Sequence, residues 1–520
     1  MSRATLVATI RSSSHASEAR NGLDWKLADW LEIRADLMPE PDPMAVRSGF
    51  DGRLLYSLRS CRAGGRDDSP IDTRHRRLRE ASRGVDLVDL EGEQDLVPET
   101  LTRIFPERRV ISWYGKVRDE HTLPQLLEKF SRTEALLYRF EITCSRVEDA
   151  IITLQFLKRA NRPDVIAYAA GPVGVWTRVL APRFGAPFVF GRLGEDSEDG
   201  AGSPTVSELV QDYGFPEFCA VSELFAIVGE PISGSLSPRL HNAAHLHAGA
   251  GRVFLSFPTS AFESLWDRLV SSQVFESMGL TLKGLTVAAP NKQTALGFSR
   301  RTALLCRKCC ASNLLVRQNE TWRACTTEPY GIFRYTARAK VNLSRSKAAV
   351  IGCGGSGRVT AAALARAGAH VTLVNRSSDR GKWANRLLGL PFVPLKEFSP
   401  RGYSVIVNAT SVGRTGEELP IDLANLNPGS LVVDLVYTHS GATPLVTTAH
   451  ALGHTVIEGR KVLLAQTMRQ YGLMTGETMP ESLVRGLLWL RTNGNDASVR
   501  LDNDHPNARQ KAELCKRRAM

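Results

Sequence analysis

The run Gly352-Cys-Gly354-Gly355-Ser-Gly357 has the glycine spacing of a phosphate-holding turn. It follows the apolar stretch Ala348-Ala-Val-Ile and precedes the Ala-rich stretch Thr360-Ala-Ala-Ala-Leu-Ala-Arg-Ala. That order is strand, tight turn and helix, and the second strand is expected at His370–Val374. Glycines let the backbone turn sharply, and they let a pyrophosphate approach the unpaired N–H groups at the helix N-terminus. An NAD site places an acid near the end of the second strand, roughly 20 residues further on, to take the ribose hydroxyls. Here that place reads Asn375-Arg376-Ser-Ser-Asp-Arg380. Asn375 does not repel a phosphate, and the forks of Arg376 and Arg380 match phosphate oxygens. Gly352, Gly354, Gly355, Gly357, Asn375, Arg376 and Arg380 are therefore expected to hold NADP rather than NAD.

Two further clusters have the residue types for metal chemistry but not the spacing. Cys306-Arg-Lys-Cys309-Cys310 with Cys325 offers one CxxC, without a second pair or a spaced histidine, so no metal site is expected. His241 and His245 lie one helical turn apart, with His247 nearby, but the glutamate of an HExxH pair is missing. Helix packing or surface positions are expected for them.

These residues need elements to position them. The chain has 520 residues, enough for about three domains at roughly 150 residues each. Hydrophobic residues make up 43% and charged residues 23%, which excludes a disordered chain. No run approaches the roughly 18 apolar residues of a membrane span. From residue 4 to about 220, short apolar strands alternate with helical stretches. The strands are expected at Ala4–Ile10, Trp30–Arg34, Leu54–Leu58, Leu87–Leu90, Val110–Trp113, Leu136–Ile142, Val165–Ala169 and Phe188–Phe190. Repetition over that length fits a (β/α)8 barrel, with an open α/β sheet as the alternative. Gly194–Ser203 reads as a long loop. A second unit opens with the strand Phe225–Val228 and runs to about residue 340. A nucleotide-binding unit follows over about 345–462. The tail from Asn493 is expected to be a mobile basic end.

The residues of the C-terminal half resemble the shikimate dehydrogenases. The resemblance rests on Gly229-Glu-Pro-Ile-Ser-Gly-Ser235-Leu-Ser237-Pro-Arg-Leu-His-Asn242, Gly284-Leu-Thr-Val-Ala-Ala-Pro-Asn-Lys292 and Val407-Asn408-Ala-Thr410-Ser-Val-Gly413. It extends to Val433-Asp434-Leu-Val-Tyr437 and Gly459-Arg-Lys-Val-Leu-Leu-Ala-Gln466. It implies a two-lobed unit, its substrate lobe completed by helices about 465–492, that moves hydride reversibly between NADPH and 3-dehydroshikimate. It also implies that Lys292 is the general acid/base, with Glu328 in the place of the family's aspartate. Ser235 and Ser237 would hold the substrate carboxylate. Asn313, Tyr437 and Gln466 would line the substrate, and Asn408, Thr410 and Gly459 the cofactor. The chain departs from the family at Gly234, at Ala288, which lacks a hydroxyl, and at Thr326. Quinate-preferring relatives vary at such positions.

The N-terminal half resembles the type I 3-dehydroquinate dehydratases, which are (β/α)8 barrels working through a Schiff base. The matching residues include Glu32-Ile-Arg34-Ala-Asp36, Ser57-Leu-Arg59, Val88-Asp-Leu-Glu91 and Gly174-Val-Trp-Thr-Arg178. Glu32, Arg34, Arg59 and Arg178 would line its ligand site. The imine-forming lysine aligns with Arg139, and the general acid/base histidine falls at Tyr114. An arginine stays charged and cannot serve as the amine nucleophile, so a barrel without dehydratase activity is expected.

The resulting expectation is an NADP-dependent shikimate dehydrogenase behind a degraded dehydratase barrel. The alternatives are a quinate-preferring dehydrogenase and a ligand-sensing pseudoenzyme. Lys+Arg 66 against Asp+Glu 54 leaves a charge of +12, but no nucleic-acid reading motif accompanies it. The expected partners are small-molecule acids, with no membrane and no nucleic acid. Nine cysteines in so long a chain favour a reducing setting. A strand beginning at residue 4 leaves no room for a removable leader, so a cytoplasmic location is expected.

Overall fold

Strands buried on both faces need apolar residues at nearly every position, and the first eight strands read that way. They are β1 (Thr5–Ile10), β2 (Trp30–Arg34), β3 (Arg53–Ser57), β4 (Leu87–Glu91), β5 (Arg109–Gly115), β6 (Leu137–Ile142), β7 (Val165–Ala169) and β8 (Phe188–Arg192). The computed structural model describes residues 3–12, 24–39, 41–194, 202–217, 220–438 and 441–488. Most of the loop expected at Gly194–Ser203 and the whole tail from Asn493 lie outside them.

Each barrel strand pairs in parallel with the next, and β1 pairs with both β2 and β8. The ring is thus nearly closed, with β7 and β8 at its two ends. Period-2 alternation separates the faces. Leu6, Ala8, Ile10, Leu31, Ile33, Leu54 and Phe140 join the core under the helices. Val7, Trp30, Leu55, Leu87, Val110, Leu137, Ile166 and Phe188 form a separate apolar cluster inside the ring. One inward step further along the first six strands the residues turn polar: Thr9, Glu32, Ser57, Asp89, Ser112 and Arg139. That layer lies toward the C-terminal ends of the strands, where barrels of this kind carry their ligands.

The second sheet contains β9 (Glu223–Gly229), β10 (Arg252–Pro258), β11 (Thr281–Val287), β12 (Arg301–Thr302), β13 (Leu314–Gln318) and β14 (Thr321–Cys325). Its order is β10-β9-β11-β13-β14-β12, with β13 antiparallel to both β11 and β14. It is not insulated from the barrel. Trp176 of the barrel sets its ring edge-on to Phe257 and Phe275, at 5.5 and 6.0 Å. Arg183 reaches the Val221 carbonyl at 2.9 Å, and Arg239 pairs with Asp212 at 2.6 Å. One apolar cluster runs through both sheets.

The third sheet is fully parallel: β15 (Lys347–Ile351), β16 (His370–Asn375), β17 (Phe392–Pro394), β18 (Val405–Asn408), β19 (Leu431–Asp434) and β20 (Thr455–Ile457). Its order β17-β16-β15-β18-β19-β20 reverses direction between β15 and β18, where such sheets place a crevice for a dinucleotide. No described helix is long and apolar enough to cross a membrane.

The paired histidines serve packing. Both lie in the helix Ser237–His247, which packs against β10. The His241 ring stacks on Phe254 at 4.2 Å, and that of His245 stacks on Phe225 at 5.2 Å. Neither ring nitrogen of His245 has a hydrogen-bond partner among the described residues. Burial holds His241 down at about 3 and His245 at about 2. An unfolded chain protonates its histidines near 6.5, so the unfolded state binds more protons below that pH. Stability is therefore expected to fall as pH drops from about 6.5 toward 3. Melting temperatures between pH 7 and 4 should show the decline, and His245→Phe should flatten it. An equal slope in the variant would remove the histidine pair as its source.

Candidate active site in the C-terminal half

The turn after β11 carries Lys292, whose backbone carbonyl is fixed by the Ser312 amide at 2.8 Å. Glu328 opens the helix Glu328–Arg338, where the positive end of the helix dipole favours a carboxylate. The two meet: Lys292 Nζ donates to Glu328 Oε1. Lys292 Nζ also donates to Ser356 Oγ at 2.7 Å, and Ser356 Oγ donates to the same carboxylate oxygen at 2.6 Å. Ser356 stands inside the glycine turn, so the catalytic candidates and the nucleotide loop touch.

Two buried polar clamps hold this junction. Asn313 donates to Thr327 Oγ1 at 3.0 Å and accepts from the Thr327 amide at 2.9 Å, while Gln470 donates to the same hydroxyl at 3.2 Å. The amide expected to face substrate thus pins the residue before Glu328. Arg358 is the second clamp, a buried cation that donates to the carbonyls of Cys309, Cys310 and Cys353 at 2.9, 3.0 and 3.1 Å. It ties the glycine loop to the helix Leu304–Cys309. Burial pushes the Cys306 thiol up to about 12 and the Cys309 thiol to about 11, so these sulfurs stay neutral.

Three of the other expected substrate residues, Ser235, Ser237 and Tyr437, lie near one another. Ser237 begins the helix Ser237–His247, and its backbone N–H donates to Ser235 Oγ at 3.2 Å. Burial pushes the Tyr437 hydroxyl up, and the neighbouring Ser235 hydroxyl works against that shift. Gln466 is half-buried in the helix Gly459–Thr475, one turn before Gln470.

The glycine loop has the geometry its spacing predicts. Gly352 sits at φ +105°, and a Cβ on Gly357 would come 1.8 Å from the Gly352 carbonyl oxygen. Gly354 caps the helix Gly355–Arg366, whose first amides face the crevice end of β15. Asn375 Oδ1 accepts from the Cys353 amide at 3.0 Å, which braces the turn from β16. Arg376 and Arg380 are exposed, with no ion-pair partner among the described residues. Gly459 opens the helix Gly459–Thr475, and a Cβ there would lie 2.1 Å from the Val436 carbonyl oxygen. Asn408, expected beside the cofactor, is held in a buried network. Its amide donates to Asp434 at 2.9 Å and to the Val412 carbonyl, and its carbonyl accepts from the Thr410 amide and hydroxyl. Asn408 and Thr410 shape the loop beside the crevice through this buried network.

In the barrel, Arg139 rises from β6 into the polar layer and donates to Glu32 at 2.6 Å, to Tyr168 at 2.9 Å and to Glu141 at 3.3 Å. Arg59 reaches Glu141 at 3.2 Å and stacks on Tyr114 at 3.8 Å. Burial alone would raise the Glu32 carboxyl, but Arg139, Arg34 and Arg59 outweigh it and hold it at about 2. Burial raises Asp89, which accepts from Tyr114 at 2.7 Å. Arg34 is paired with Asp36, and Arg178 donates to the Phe190 carbonyl at 2.6 Å. Glu32, Arg34, Arg59, Arg139, Glu141 and Arg178 line a cavity of about 340 Å³.

Comparison with known proteins gives the same division. The family model for type I 3-dehydroquinase matches residues 7–217. The bifunctional 3-dehydroquinate dehydratase/shikimate dehydrogenase of Arabidopsis thaliana, a chloroplastic protein, is 25% identical over 489 residues, covering 88% of this chain and 79% of that protein. The shikimate dehydrogenase (NADP(+)) of Acidiphilium cryptum is 32% identical over 260 residues, 49% of this chain and 92% of its own length. The solved dehydroquinate dehydratase and shikimate dehydrogenase of S. pombe is 20% identical, with a TM-score of 0.41, over 94% of this chain and 98% of that one. With nearly the full length of a relative above 30% identity matched, and a 3-dehydroquinase-type barrel ahead of it, the chain belongs to the shikimate dehydrogenase family.

Proposed function

We propose that the chain catalyses the NADP-dependent interconversion of 3-dehydroshikimate and shikimate, and that its barrel carries no dehydratase activity. The observation that carries the first part is the Lys292–Glu328 pair set against the glycine turn. The crevice fits NADP: the open N-terminus of the helix Gly355–Arg366 would take the pyrophosphate, and the exposed Arg376 and Arg380 the 2′-phosphate. Bound there, NADPH supplies the hydride. Lys292 donates a proton to the oxygen that becomes the new hydroxyl, and in oxidation it takes one from the hydroxyl. Glu328 keeps the ammonium aimed and compensates its charge, while Ser235 and Ser237 hold the substrate carboxylate. Tyr437 and Gln466 would line the bound substrate. A steady-state comparison of shikimate and quinate as substrates for NADP+ reduction tests this reading; turnover of neither acid would reject it.

For the barrel, the supporting observation is that Arg139 is locked between Glu32 and Glu141. A guanidinium held in that network is neither a free amine nor able to become one. The remaining arginines suit a non-covalent anionic ligand. Borohydride in the presence of 3-dehydroquinate is expected to leave the protein mass unchanged, and a reduced adduct in the barrel would overturn the proposal. The seven described cysteines are free thiols, which suits a reducing compartment such as the cytoplasm.

A further inference from the structure

We infer that Ser356 is a positioning residue for the acid/base step, linking the nucleotide loop to the Lys292–Glu328 pair; the inference rests on the dehydrogenase reading above. Ser356 occupies the one position between Gly355 and Gly357 where the turn carries a side chain. Its hydroxyl does two things at once. It accepts a hydrogen bond from Lys292 Nζ at 2.7 Å and donates one to Glu328 Oε1 at 2.6 Å. Since Lys292 also donates to that oxygen, the three groups close a triangle on one carboxylate lobe.

The triangle spans three separate elements: the turn after β11, the first residue of the helix Glu328–Arg338, and the first turn of the helix Gly355–Arg366. The loop backbone follows the lysine stem closely, because a Cβ on Gly355 would lie 3.2 Å from both Cβ and Cδ of Lys292. A glutamate reaches one methylene further than an aspartate, which brings its carboxylate within range of the loop hydroxyl. Hydrogen bonds to charged groups are the strong ones, so Ser356 restrains an ammonium carried by a four-carbon stem.

The proton step shows the use of that restraint. In the reductive direction one Lys292 N–H bond breaks as an O–H bond forms on the product, leaving a neutral amine with its lone pair. The Ser356 hydroxyl continues to donate to Glu328, so the carboxylate keeps a donor while the lysine is uncharged. The Lys292 side chain is 18% exposed, which lets water return the proton.

The test uses the full chain with Ser356→Ala and Ser356→Thr. In NADP+-dependent shikimate oxidation, Ser356→Ala is expected to lower kcat by about tenfold, the scale of one hydrogen bond to a charged group. The KM for NADP+ should hold within about twofold on the same argument that the loop backbone is unchanged. The solvent deuterium isotope effect on kcat should grow, and Ser356→Thr, which keeps the hydroxyl, should recover most of the rate. An unchanged kcat, or a rise confined to the KM for NADP+, would overturn the inference. A second readout does not need turnover: amine-selective labelling of Lys292, followed by mass spectrometry, should be several-fold faster in Ser356→Ala. Equal labelling rates would overturn the inference even if the wild type oxidised neither acid, an outcome that would separately reject the dehydrogenase reading.

Discussion

Lys292→Ala is expected to lower kcat for shikimate oxidation by about 1000-fold, within the range that a positioned general acid/base supplies. The effect should fall on kcat, because in the proposed mechanism the lysine acts on the oxygen that gains or loses a proton as hydride moves. The KM for NADP+ should change little, since in the proposed reading the phosphates would meet glycine amides and arginines rather than Lys292. Glu328→Gln separates charge from shape. It keeps the length of the side chain and a carbonyl oxygen for Lys292 and Ser356, but it removes the negative charge that compensates the ammonium. A loss of about 10- to 100-fold is expected, smaller than that of the lysine variant, from a charge-assisted contact worth about 1.5–3 kcal/mol. Steady-state rates of the two variants under saturating NADP+ check this order. A Lys292→Ala enzyme as fast as wild type would leave the cluster at Glu328 without a catalytic part.

Arg376→Asp is expected to reduce kcat/KM for NADP+ by about 100-fold and to raise that for NAD+. The substitution removes a fork that can pair with the 2′-phosphate and puts a carboxylate where NAD sites use one for the ribose hydroxyls. Both changes act in the same direction. Arg376 is exposed and carries no structural ion pair among the described residues, so the fold should tolerate the change. Equal melting temperatures of the two proteins would confirm that the kinetic loss is local. NADP+ kinetics unchanged in the variant would remove Arg376 from the cofactor site.

Much of the fold was written in local pattern. The eight barrel strands were legible because strands buried on both faces need largely apolar runs, and their observed bounds lie within two residues of expectation. Strand β5 runs two residues further than expected, to Gly115, because Tyr114 and Gly115 continue its ladder with β6. The glycine spacing placed the turn of the third sheet, since a Cβ at Gly357 has no space beside the Gly352 carbonyl. Other residues carried no local signal. Ser356 looks like an ordinary filler between glycines, and Tyr168 and Gln470 matter only through partners far away in the chain. Asn408 and Asn313 were readable as polar residues of the site, but not as clamps, because their partners Asp434 and Thr327 lie 26 and 14 residues away.

By itself, then, the amino-acid order determined the element types, the nucleotide turn, the basic pair after β16 and the arginine at position 139. Each of these depends on neighbours within a few residues or on the identity of one side chain. Only the tertiary structure decided that Lys292, Glu328 and Ser356 share one carboxylate oxygen, that Arg139 is locked by two glutamates, and that the barrel shares its apolar core with the second sheet. Those are contacts between distant segments, and burial, which sets their strength and the protonation of the groups involved, exists only once the chain has folded.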